Sequence, residues 1–164
     1  MTLTSPVTLI LGGSGRTGSL IAKEVADHGA RSRTASRHGS DVLFDWDDPA
    51  TYADALEGVD RVYLVRPVMR VRYADQVAMF LAEAESAGAQ HVTLLSTYNG
   101  DRAPDEVDIA VVESLVATRK AFTHTILRPA WVMQNFTDSH LPVINGTLVV
   151  PSRGGSEAFV DAAD

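Results

Sequence analysis

The chain contains no cysteine, so disulfide bonds, thiolate chemistry and cysteine-ligated metal sites are excluded. Its five histidines are scattered without the spacing of metal ligands, and we therefore predict no metal site. No apolar run approaches the length that crosses a membrane, and the first residues lack the basic region and apolar stretch of a secretory signal. These absences predict a cytoplasmic protein that does not associate with membranes.

Positive charge is scarce relative to negative charge. The chain has 14 Lys and Arg residues against 21 Asp and Glu residues, which gives a formal net charge of −7 and a pI near 5.1. Such an acidic chain has little general affinity for nucleic acid. Its 164 residues, of which 45% are hydrophobic, are enough for one domain with a substantial core. We therefore predict a globular protein with no direct nucleic-acid partner.

Glycine is concentrated in one short stretch near the amino end of the chain. Strand-like residues Val7 to Leu11 run directly into Gly12, Gly13, Gly15 and Gly18, and an apolar helical pattern follows. The spacing fits both G-x-G-x-x-G and G-x-x-G-x-x-G, in the strand–turn–helix context that a dinucleotide site requires. In such a turn the glycines let backbone amides approach a pyrophosphate at the helix N-terminus. No Gly-Lys-Ser/Thr sequence follows, which argues against a Walker-type triphosphate site.

Strand-like and helix-like segments alternate along most of the chain. Further strands are predicted at Arg31–Ser36, Val42–Phe44, Arg61–Val65, His91–Leu95 and Phe122–Leu127. Helices are predicted after the glycine turn and from Asp48 to Leu56, Val71 to Ala87 and Asp105 to Arg119. Apolar strands that alternate with helices form parallel sheets with right-handed crossovers. We therefore predict a doubly wound α/β fold of the Rossmann type, with strand order 3-2-1-4-5-6.

The regular alternation ends near Trp131. We predict an NAD(P)-binding Rossmann domain over residues 1–130 and, over residues 131–164, the start of a substrate-binding lobe that looks short and truncated. Within this lobe, Thr147–Val150 is predicted to be a strand, and the segment from Phe159 onward reads as the opening turn of a helix. An incomplete lobe would leave apolar surface in need of cover, so we also expect self-association into a homo-oligomer.

The residue at the end of the second strand distinguishes the two common dinucleotides. NAD sites carry an acidic residue there, about 20 residues past the glycines, for the ribose 2′-hydroxyl. Here Arg37 occupies that place, and its guanidinium suits a 2′-phosphate; Arg16 in the glycine turn could reach the same group. The pattern favours NADP over NAD. Two alternatives stay open, in which Arg37 is a solvated surface charge or Asp41 contacts the ribose.

Five segments together resemble the NmrA-like group of atypical short-chain dehydrogenases, which includes NAD(P)H-dependent quinone oxidoreductases and redox-sensing regulators. They are LGGSGRTGSLIAKEV, TASR, FDWDDPATYADALEGVDRVYLVRP, VTLLSTYNGD and TILRPAWVMQNF. The resemblance implies that the pyrophosphate is held by Gly12, Ser14, Gly15, Arg16, Thr17 and Gly18, and the 2′-phosphate by Arg37. It also implies that Asp45 and Trp46 lie near the adenine and that Val65, Arg66 and Pro67 lie on the ribose side. The residues that it implies towards the nicotinamide are Ser96, Thr97, Tyr98, Pro129, Ala130 and Trp131.

Several of these residues also have a purely structural interpretation. Trp46 and Trp131 could be packing aromatics, and Ser96 could be a turn residue. Asp45 could simply end a strand. The sequence alone leaves both interpretations open for each of them.

The sequence lacks the usual acid–base pair of the wider superfamily. Typical members use Tyr-x-x-x-Lys on the helix after the fifth strand, where this chain has Ile109 and Glu113. NmrA-like proteins commonly have His-x-x-x-Glu at these positions, so this chain lacks that histidine as well. Hydride transfer to a quinone needs less from the protein, because the cofactor carries the chemistry. Ser96 and Tyr98 could orient a substrate oxygen, and Asn135 could bond to the substrate or the carboxamide. These three are the candidate catalytic residues.

Two functions are consistent with these residues. The first is an NADPH-dependent oxidoreductase that transfers a hydride to a quinone or a similar small electrophile. The second is a non-catalytic, NADP(H)-sensing regulatory protein of the NmrA type. We prefer the enzyme, because the glycine turn retains every feature of a cofactor site.

Overall fold

The computed structural model describes residues 5–136, 141, 143–148 and 154–163. Contacts between residues divide the chain into two compact units, Met1–Arg128 and Pro129–Asp164. Within these described residues, no helix is both long enough and apolar enough to cross a membrane; the longest, Ala74–Ser86, has 13 residues.

The first unit is built on a single six-stranded sheet. Its strands are β1 (Val7–Leu11), β2 (Arg31–Ser36), β3 (Val42–Leu43), β4 (Arg61–Val65), β5 (His91–Leu95) and β6 (Thr123–Leu127). Its helices are α1 (Arg16–Asp27), α2 (Ala50–Leu56), α3 (Ala74–Ser86) and α4 (Ile109–Thr118). Every neighbouring pair of strands is parallel, and the order is β3-β2-β1-β4-β5-β6. The predicted doubly wound Rossmann fold is therefore confirmed.

Helices α3 and α4 begin later than the predicted starts at Val71 and Asp105. Asp108 explains both late starts, since it directly precedes α4 and its carboxylate accepts hydrogen bonds from the backbone N–H groups of Tyr73 (2.6 Å) and Ala74 (2.7 Å). One side chain thus fixes the first turn of α3 and the residue before α4. The other boundaries in this unit differ from the prediction by only one or two residues.

Alternate strand residues pack against helices α2, α3 and α4 to form the main core. Its largest contributors are Leu9, Leu11, Val62, Leu64, Val92 and Leu94 from the strands and Tyr52, Leu56, Val77, Phe80, Leu81, Val112 and Val116 from the helices. Helix α1 contacts β1 and β2, and Ile10 and Tyr63, which alternate to the opposite face, are also buried. The central strands β1 and β4 are therefore buried on both faces, as the apolar runs in the sequence indicated.

The second unit contains short strands and one 3₁₀ helix, Met133–Phe136, among its described residues. Strand β7 (Trp131–Val132) pairs in parallel with β10 (Phe159–Val160), and β8 (Val143–Ile144) forms a hairpin with β9 (Thr147–Leu148). The predicted helical turn at Phe159 is therefore wrong, because pairing with β7 and ring contact with Phe136 (centroids 4.8 Å apart) fix this segment as a strand. The predicted strand from Thr147 is confirmed as far as Leu148, and its last two residues lie outside the described residues.

Candidate functional site

The turn between β1 and α1 is wound so tightly that two of its positions admit only glycine. The Gly15 N–H donates to the carbonyl of Gly12 (2.8 Å), and Gly12 itself has a φ of 67°, which side-chain-bearing residues rarely adopt. A Cβ at Gly18 would lie 2.2 Å from the Gly12 carbonyl oxygen, and a Cβ at Gly13 would lie 2.5 Å from the Cβ of Thr34. The glycines at these two positions therefore allow the turn to pack closely against α1 and β2.

The amino end of α1 opens from this turn towards the carboxyl edge of the sheet. Its N-cap residue, Gly15, has extended backbone (φ −85°, ψ 176°) and no side chain with which to cap the helix, and the first turn of α1 contains no acidic residue. Uncapped amides and the positive end of the helix dipole form a site suited to an anion. The geometry of the turn therefore fits a pyrophosphate, the group that the sequence pattern indicated.

A group of serine hydroxyls joins the glycine turn to the end of β2. Ser14 Oγ donates to Ser36 Oγ (3.0 Å), and Ser36 Oγ also lies 2.7 Å from Ser40 Oγ and donates to the carbonyl of His38 (2.6 Å). Arg37 directly follows Ser36 and is exposed. These hydroxyls therefore lie beside the glycine turn, and Arg37 follows Ser36 in sequence at the end of β2, where the ribose of an adenosine bound to that turn would reach.

Asp41, the alternative ribose ligand, is bonded to the middle of β2. Its Oδ2 accepts hydrogen bonds from the backbone N–H and the hydroxyl of Thr34 (both 2.8 Å), and its own N–H donates to the Thr34 hydroxyl (3.0 Å). These bonds, led by the one from the Thr34 backbone, hold the pKa of Asp41 below its usual value of 3.8. The Asp41 carboxylate is thus engaged in holding the loop after β2 against the strand.

Asp45 and Trp46, predicted near the adenine, follow the end of β3. The backbone N–H of Asp45 donates to the Thr51 hydroxyl (3.1 Å), and its carboxylate accepts from the Asp47 N–H (3.0 Å). Trp46 is half-buried, with its ring edge-on to Phe44 at a centroid distance of 5.0 Å. Both residues make the structural contacts of their alternative interpretation, and their roles towards an adenine remain predictions.

The loop after β4 carries the residues predicted on the ribose side. Val65 lies under the glycine turn, since a Cβ at Gly12 would come within 3.8 Å of the Val65 Cβ. The Arg66 guanidinium lies 5.6 Å from the centre of the Tyr73 ring, in cation–π contact, and Pro67 is buried.

The same loop is tied to the segment after β3 by an ion pair between Arg70 and Asp47. One guanidinium nitrogen of Arg70 donates to Asp47 Oδ1 at 2.6 Å and the other donates to Oδ2. This bidentate bond with Arg70 holds the pKa of Asp47 below its usual value. The two loops that flank the expected adenosine position are therefore linked directly.

Ser96, at the end of β5, takes part in a hydrogen-bond network around a buried carboxylate, which sequence reasoning missed. Its hydroxyl donates to Glu113 Oε1 on α4, and Arg128 Nε donates to both carboxylate oxygens of Glu113 (3.0 and 3.1 Å). The bonds with Glu113 raise the pKa of Arg128 above its usual value. Thr97 and Tyr98 follow Ser96 in an exposed turn. The only signal in the sequence was the position of Glu113 on the helix after the fifth strand, which does not reveal its partners.

The helix positions of the missing acid–base pair are both buried. Ile109 is 3% exposed and has no titratable group, and Glu113 is 4% exposed and paired as described above. Neither of these two positions therefore carries a tyrosine or a lysine.

The remaining predicted residues belong to the second unit. Pro129 and Trp131 are half-buried there, and Asn135 is buried. The Trp131 Nε1–H donates to Glu157 Oε2 (3.2 Å), and the backbone carbonyl of Asn135 accepts a hydrogen bond from the backbone N–H of Leu141 (3.0 Å). The structure thus brings the glycine turn and the residues after β2, β3, β4 and β5 to one edge of the sheet, and it places these three in a separate unit.

A cavity of about 760 Å³ lies away from this edge of the sheet. Its lining includes Thr8, Arg61, His91 and Thr123 at or near the amino ends of their strands, with Tyr63 and Thr93 in mid-strand, whereas ligands of open α/β sheets bind beyond the carboxyl ends. Over the described part of the chain, no three His, Asp or Glu side chains are grouped as metal ligands.

Comparisons with known proteins agree with this fold, although no family model matches the chain. An uncharacterized oxidoreductase, YesF, from Bacillus subtilis is 35% identical over 167 residues, which cover 95% of this chain and 56% of that protein. The chain therefore spans little more than half the length of this curated relative.

Solved structures show the same fold at lower identity. A short-chain dehydrogenase/reductase superfamily protein from Agrobacterium tumefaciens with bound NAD superposes with a TM-score of 0.65 at 19% identity, over 77% of this chain and 50% of that one. An NADPH-dependent quinone oxidoreductase from Escherichia coli, in complex with NADPH, superposes with a TM-score of 0.57 at 20% identity, over 80% and 51% of the two chains.

Sheet order, glycine turn and structural neighbours together define a Rossmann protein of the NAD(P)-binding class. Within that class, the chain resembles the atypical short-chain dehydrogenases, in agreement with a relative that is named an oxidoreductase. The predicted resemblance to this family is confirmed.

Proposed function

We propose that this chain binds NADPH as part of an oxidoreductase of the NmrA-like group, which transfers a hydride to a quinone or a similar small electrophile. The observation that carries the proposal is the glycine turn, in which Gly13 and Gly18 have no room for a side chain and the end of α1 is uncapped. A turn packed this closely brings the end of β1 against the start of α1, so that the free amides at the amino end of the helix can bind a diphosphate. The relative from Bacillus subtilis is named an oxidoreductase, which supports the same activity.

The contacts at the end of β2 support NADPH over NADH. Arg37 is exposed and directly follows Ser36, and a 2′-phosphate there would gain its guanidinium as a charged donor. The Ser14 and Ser36 hydroxyls already donate their protons to Ser36 and to the His38 carbonyl, so the guanidinium carries the preference. Asp41, the acid that would favour a free 2′-hydroxyl, is already bonded to Thr34. The quinone oxidoreductase from Escherichia coli holds NADPH, which is consistent with this preference.

The residues of the first unit would each hold a different part of the cofactor. The turn residues Ser14, Gly15, Arg16 and Thr17 would bind the diphosphate, and Arg37 would bind the 2′-phosphate. When bound, NADPH supplies the hydride, so the protein needs to orient the nicotinamide and the acceptor and to exclude water from between them. A quinone acceptor suits a site without a tyrosine–lysine pair, because the reduced oxygens can take protons from solvent.

Two measurements test this proposal. Calorimetry of the 164-residue chain with NADPH and NADH is expected to show binding of both, with NADPH bound more tightly. A panel of quinones is then expected to oxidise NADPH in the presence of the protein, followed as the loss of the nicotinamide absorbance. Absence of binding for both nucleotides would refute the proposal.

One observation favours a second candidate, a protein that binds NADP(H) and reports its level to a partner. The helix that carries the acid–base pair in enzymes of this superfamily has the apolar, buried Ile109 at the first position of the pair. Tight NADPH binding without turnover of any quinone in the panel would support this sensor over the enzyme.

We also propose that the protein is cytoplasmic and self-associates. The outer face of α4 leaves Val111 48% exposed beside Ala110, Ser114, Leu115 and Thr118, in an apolar depression of about 390 Å³. A second copy of the chain could cover this face. Light scattering is expected to give a mass above that of the monomer, and a purely monomeric mass would contradict this part of the proposal.

A further inference from the structure

Ser96, Glu113 and Arg128 come from three successive elements and meet in one hydrogen-bonded group. Glu113 is 4% exposed and accepts bonds from the Ser96 hydroxyl and from Nε and Nη2 of Arg128. Ser96 follows β5, Glu113 is in the middle of α4, and Arg128 follows β6. This carboxylate therefore ties the ends of two neighbouring strands to the helix that connects them.

The direction of the bond from Ser96 limits what this serine can do for a substrate. A serine hydroxyl has one proton, and that proton is donated to Glu113. While this bond persists, Ser96 has lone pairs but no proton to offer a reacting oxygen. The network therefore fits a role in holding the chain in place better than a role in proton donation.

The turn that follows Ser96 is packed directly on the carboxylate. The Ser96 N–H donates to the Leu127 carbonyl (2.8 Å), and the Gly100 N–H donates to the Thr97 carbonyl (2.9 Å). A Cβ at Gly100 would lie 2.6 Å from Ser96 Oγ and 2.7 Å from Glu113 Oε1, so only glycine brings the turn this close. The shape of the turn that carries Thr97 and Tyr98 thus depends on the network beneath it.

We infer that Glu113 is a positioning residue, which acts through Ser96 to hold the turn of Thr97 and Tyr98 where the nicotinamide half of the cofactor binds. This inference rests on the proposed function, because it assumes that NADPH lies along the carboxyl edge of the sheet. The adenosine half would be bound by the glycine turn and by Arg37, over β1 and β2, which have no part in the network. Loss of Glu113 should therefore weaken one half of the cofactor site and spare the other.

Two nucleotides separate these halves. NADPH contains both, whereas 2′,5′-ADP contains only the adenosine with its 2′-phosphate and the 5′-phosphate. We expect Glu113→Gln to weaken NADPH binding about three- to tenfold, the effect of losing about one hydrogen bond, and to leave the affinity for 2′,5′-ADP unchanged in calorimetry. Glu113→Asp, which keeps the charge and the acceptor oxygens, should recover part of the NADPH affinity.

A matched control variant and a second network variant separate a specific effect on NADPH binding from a general loss of folding. Glu85→Gln makes the same chemical change in a half-exposed pair with Arg119 (2.9 Å), outside the network, and should alter neither affinity. Ser96→Ala leaves the pair of Glu113 with Arg128 in place and should give the same selective loss as Glu113→Gln.

Each possible result is decisive. Equal losses for NADPH and 2′,5′-ADP in both network variants would show a role in stability alone and overturn the inference. Unchanged NADPH binding in both variants would overturn it as well. If the unmodified chain binds neither nucleotide, the proposed function fails instead, so the two failures are distinguishable.

Discussion

The carboxyl edge of the sheet is held together by different chemistry at its two ends. Over β1 and β2, the turn is closed by backbone contacts, with the Gly15 N–H bonded to the Gly12 carbonyl and the backbone of Gly18 packed against the same carbonyl. Over β5 and β6, the turn after Ser96 is held by the buried carboxylate of Glu113 and its pair with Arg128. A turn closed by backbone groups can bind a phosphate with many different sequences, whereas a turn held by side chains can differ from protein to protein with the substrate.

This difference predicts distinct vulnerabilities. The turn over β1 and β2 should not tolerate a Cβ at Gly13 or Gly18, because the contacts there are already closer than a Cβ allows, and the contacts described for its closure are made by backbone groups. The side-chain end, and the starts of α3 and α4 beside it, should respond to the removal of charge by mutation or by acid.

The largest effect is expected for Gly18→Ala. Its Cβ would lie 2.2 Å from the Gly12 carbonyl oxygen and 2.7 Å from the carbonyl carbon, so β1 and α1 must move apart. We expect a loss of about 3 kcal/mol in the free energy of unfolding, measured by urea denaturation.

Gly58→Ala is the matched control for this change. Gly58 has a φ of 66°, but no atom lies within 4 Å of the place that an alanine Cβ would take, so only backbone strain applies, at about 1 kcal/mol. If the two variants lost equal stability, the tight packing at Gly18 would not be the cause.

The next largest effect is expected for Asp108→Ala, at the starts of α3 and α4 beside the side-chain end. The substitution removes the acceptor for the Tyr73 and Ala74 N–H groups and for Arg72 Nη1 (3.0 Å). We expect a loss of about 2 kcal/mol at neutral pH, in the same urea experiment. Asp105→Ala is the control, since Arg72 reaches Asp105 through its backbone carbonyl, which the change leaves in place.

The stability conferred by Asp108 should also depend on pH. Burial by itself raises the pKa of this carboxyl, but the bonds from Ala74, Tyr73 and Arg72 outweigh it and leave the pKa below the usual 3.8. A carboxyl with a lowered pKa in the folded state stabilises the protein above its unfolded pKa, and this contribution is lost as the pH falls through the folded value. The stability difference between the native chain and Asp108→Ala should therefore be constant from pH 7 to about pH 5 and shrink below about pH 4. A difference that did not shrink in acid would contradict this account.

The two ends also differ in how far they could be predicted from the sequence. The sheet order and the glycine turn follow from local patterns, because apolar runs, glycine spacing and a helix start within a few residues specify a strand, a tight turn and a helix. Arg37 could be placed for the same reason, since it follows the second strand directly.

The side-chain end, over β5 and β6, could not be predicted in this way. Glu113 lies 17 residues from Ser96 and 15 from Arg128, and their meeting depends on how α4 crosses from β5 to β6. Asp108 similarly bonds to Tyr73, 35 residues earlier, so the start of α3 is set by a residue outside any local pattern. The strand at Phe159 could not be predicted for the same reason, because its partner Trp131 is also distant in sequence.

A smaller effect, on binding, is expected for Arg37→Ala. Removal of the guanidinium should weaken NADPH binding by about 1.5 kcal/mol, or about tenfold, because one charge-assisted contact to the 2′-phosphate is lost. NADH binding should be unchanged in the same calorimetric titrations. Arg31→Ala is the control, because this exposed arginine is at the opposite end of β2, where its guanidinium donates to the Ser5 carbonyl (3.3 Å). Equal weakening of NADPH and NADH by Arg37→Ala would remove Arg37 from the 2′-phosphate site.

The smallest effect is expected for Asp41→Asn, which tests whether the acid four residues after Arg37 takes any part in the choice between NADPH and NADH. The Asp41 carboxylate is directed to Thr34 within β2, and an asparagine oxygen can still accept the bond from the Thr34 N–H (2.8 Å in the native chain). The ratio of NADPH to NADH affinity should therefore stay within about twofold of the native ratio, which corresponds to less than about 0.5 kcal/mol. If instead Asp41 contacted the ribose, removal of its negative charge would relieve repulsion of the 2′-phosphate and raise that ratio about tenfold or more. Such a rise would show that the carboxylate of Asp41, and not the guanidinium of Arg37, determines the preference between NADPH and NADH.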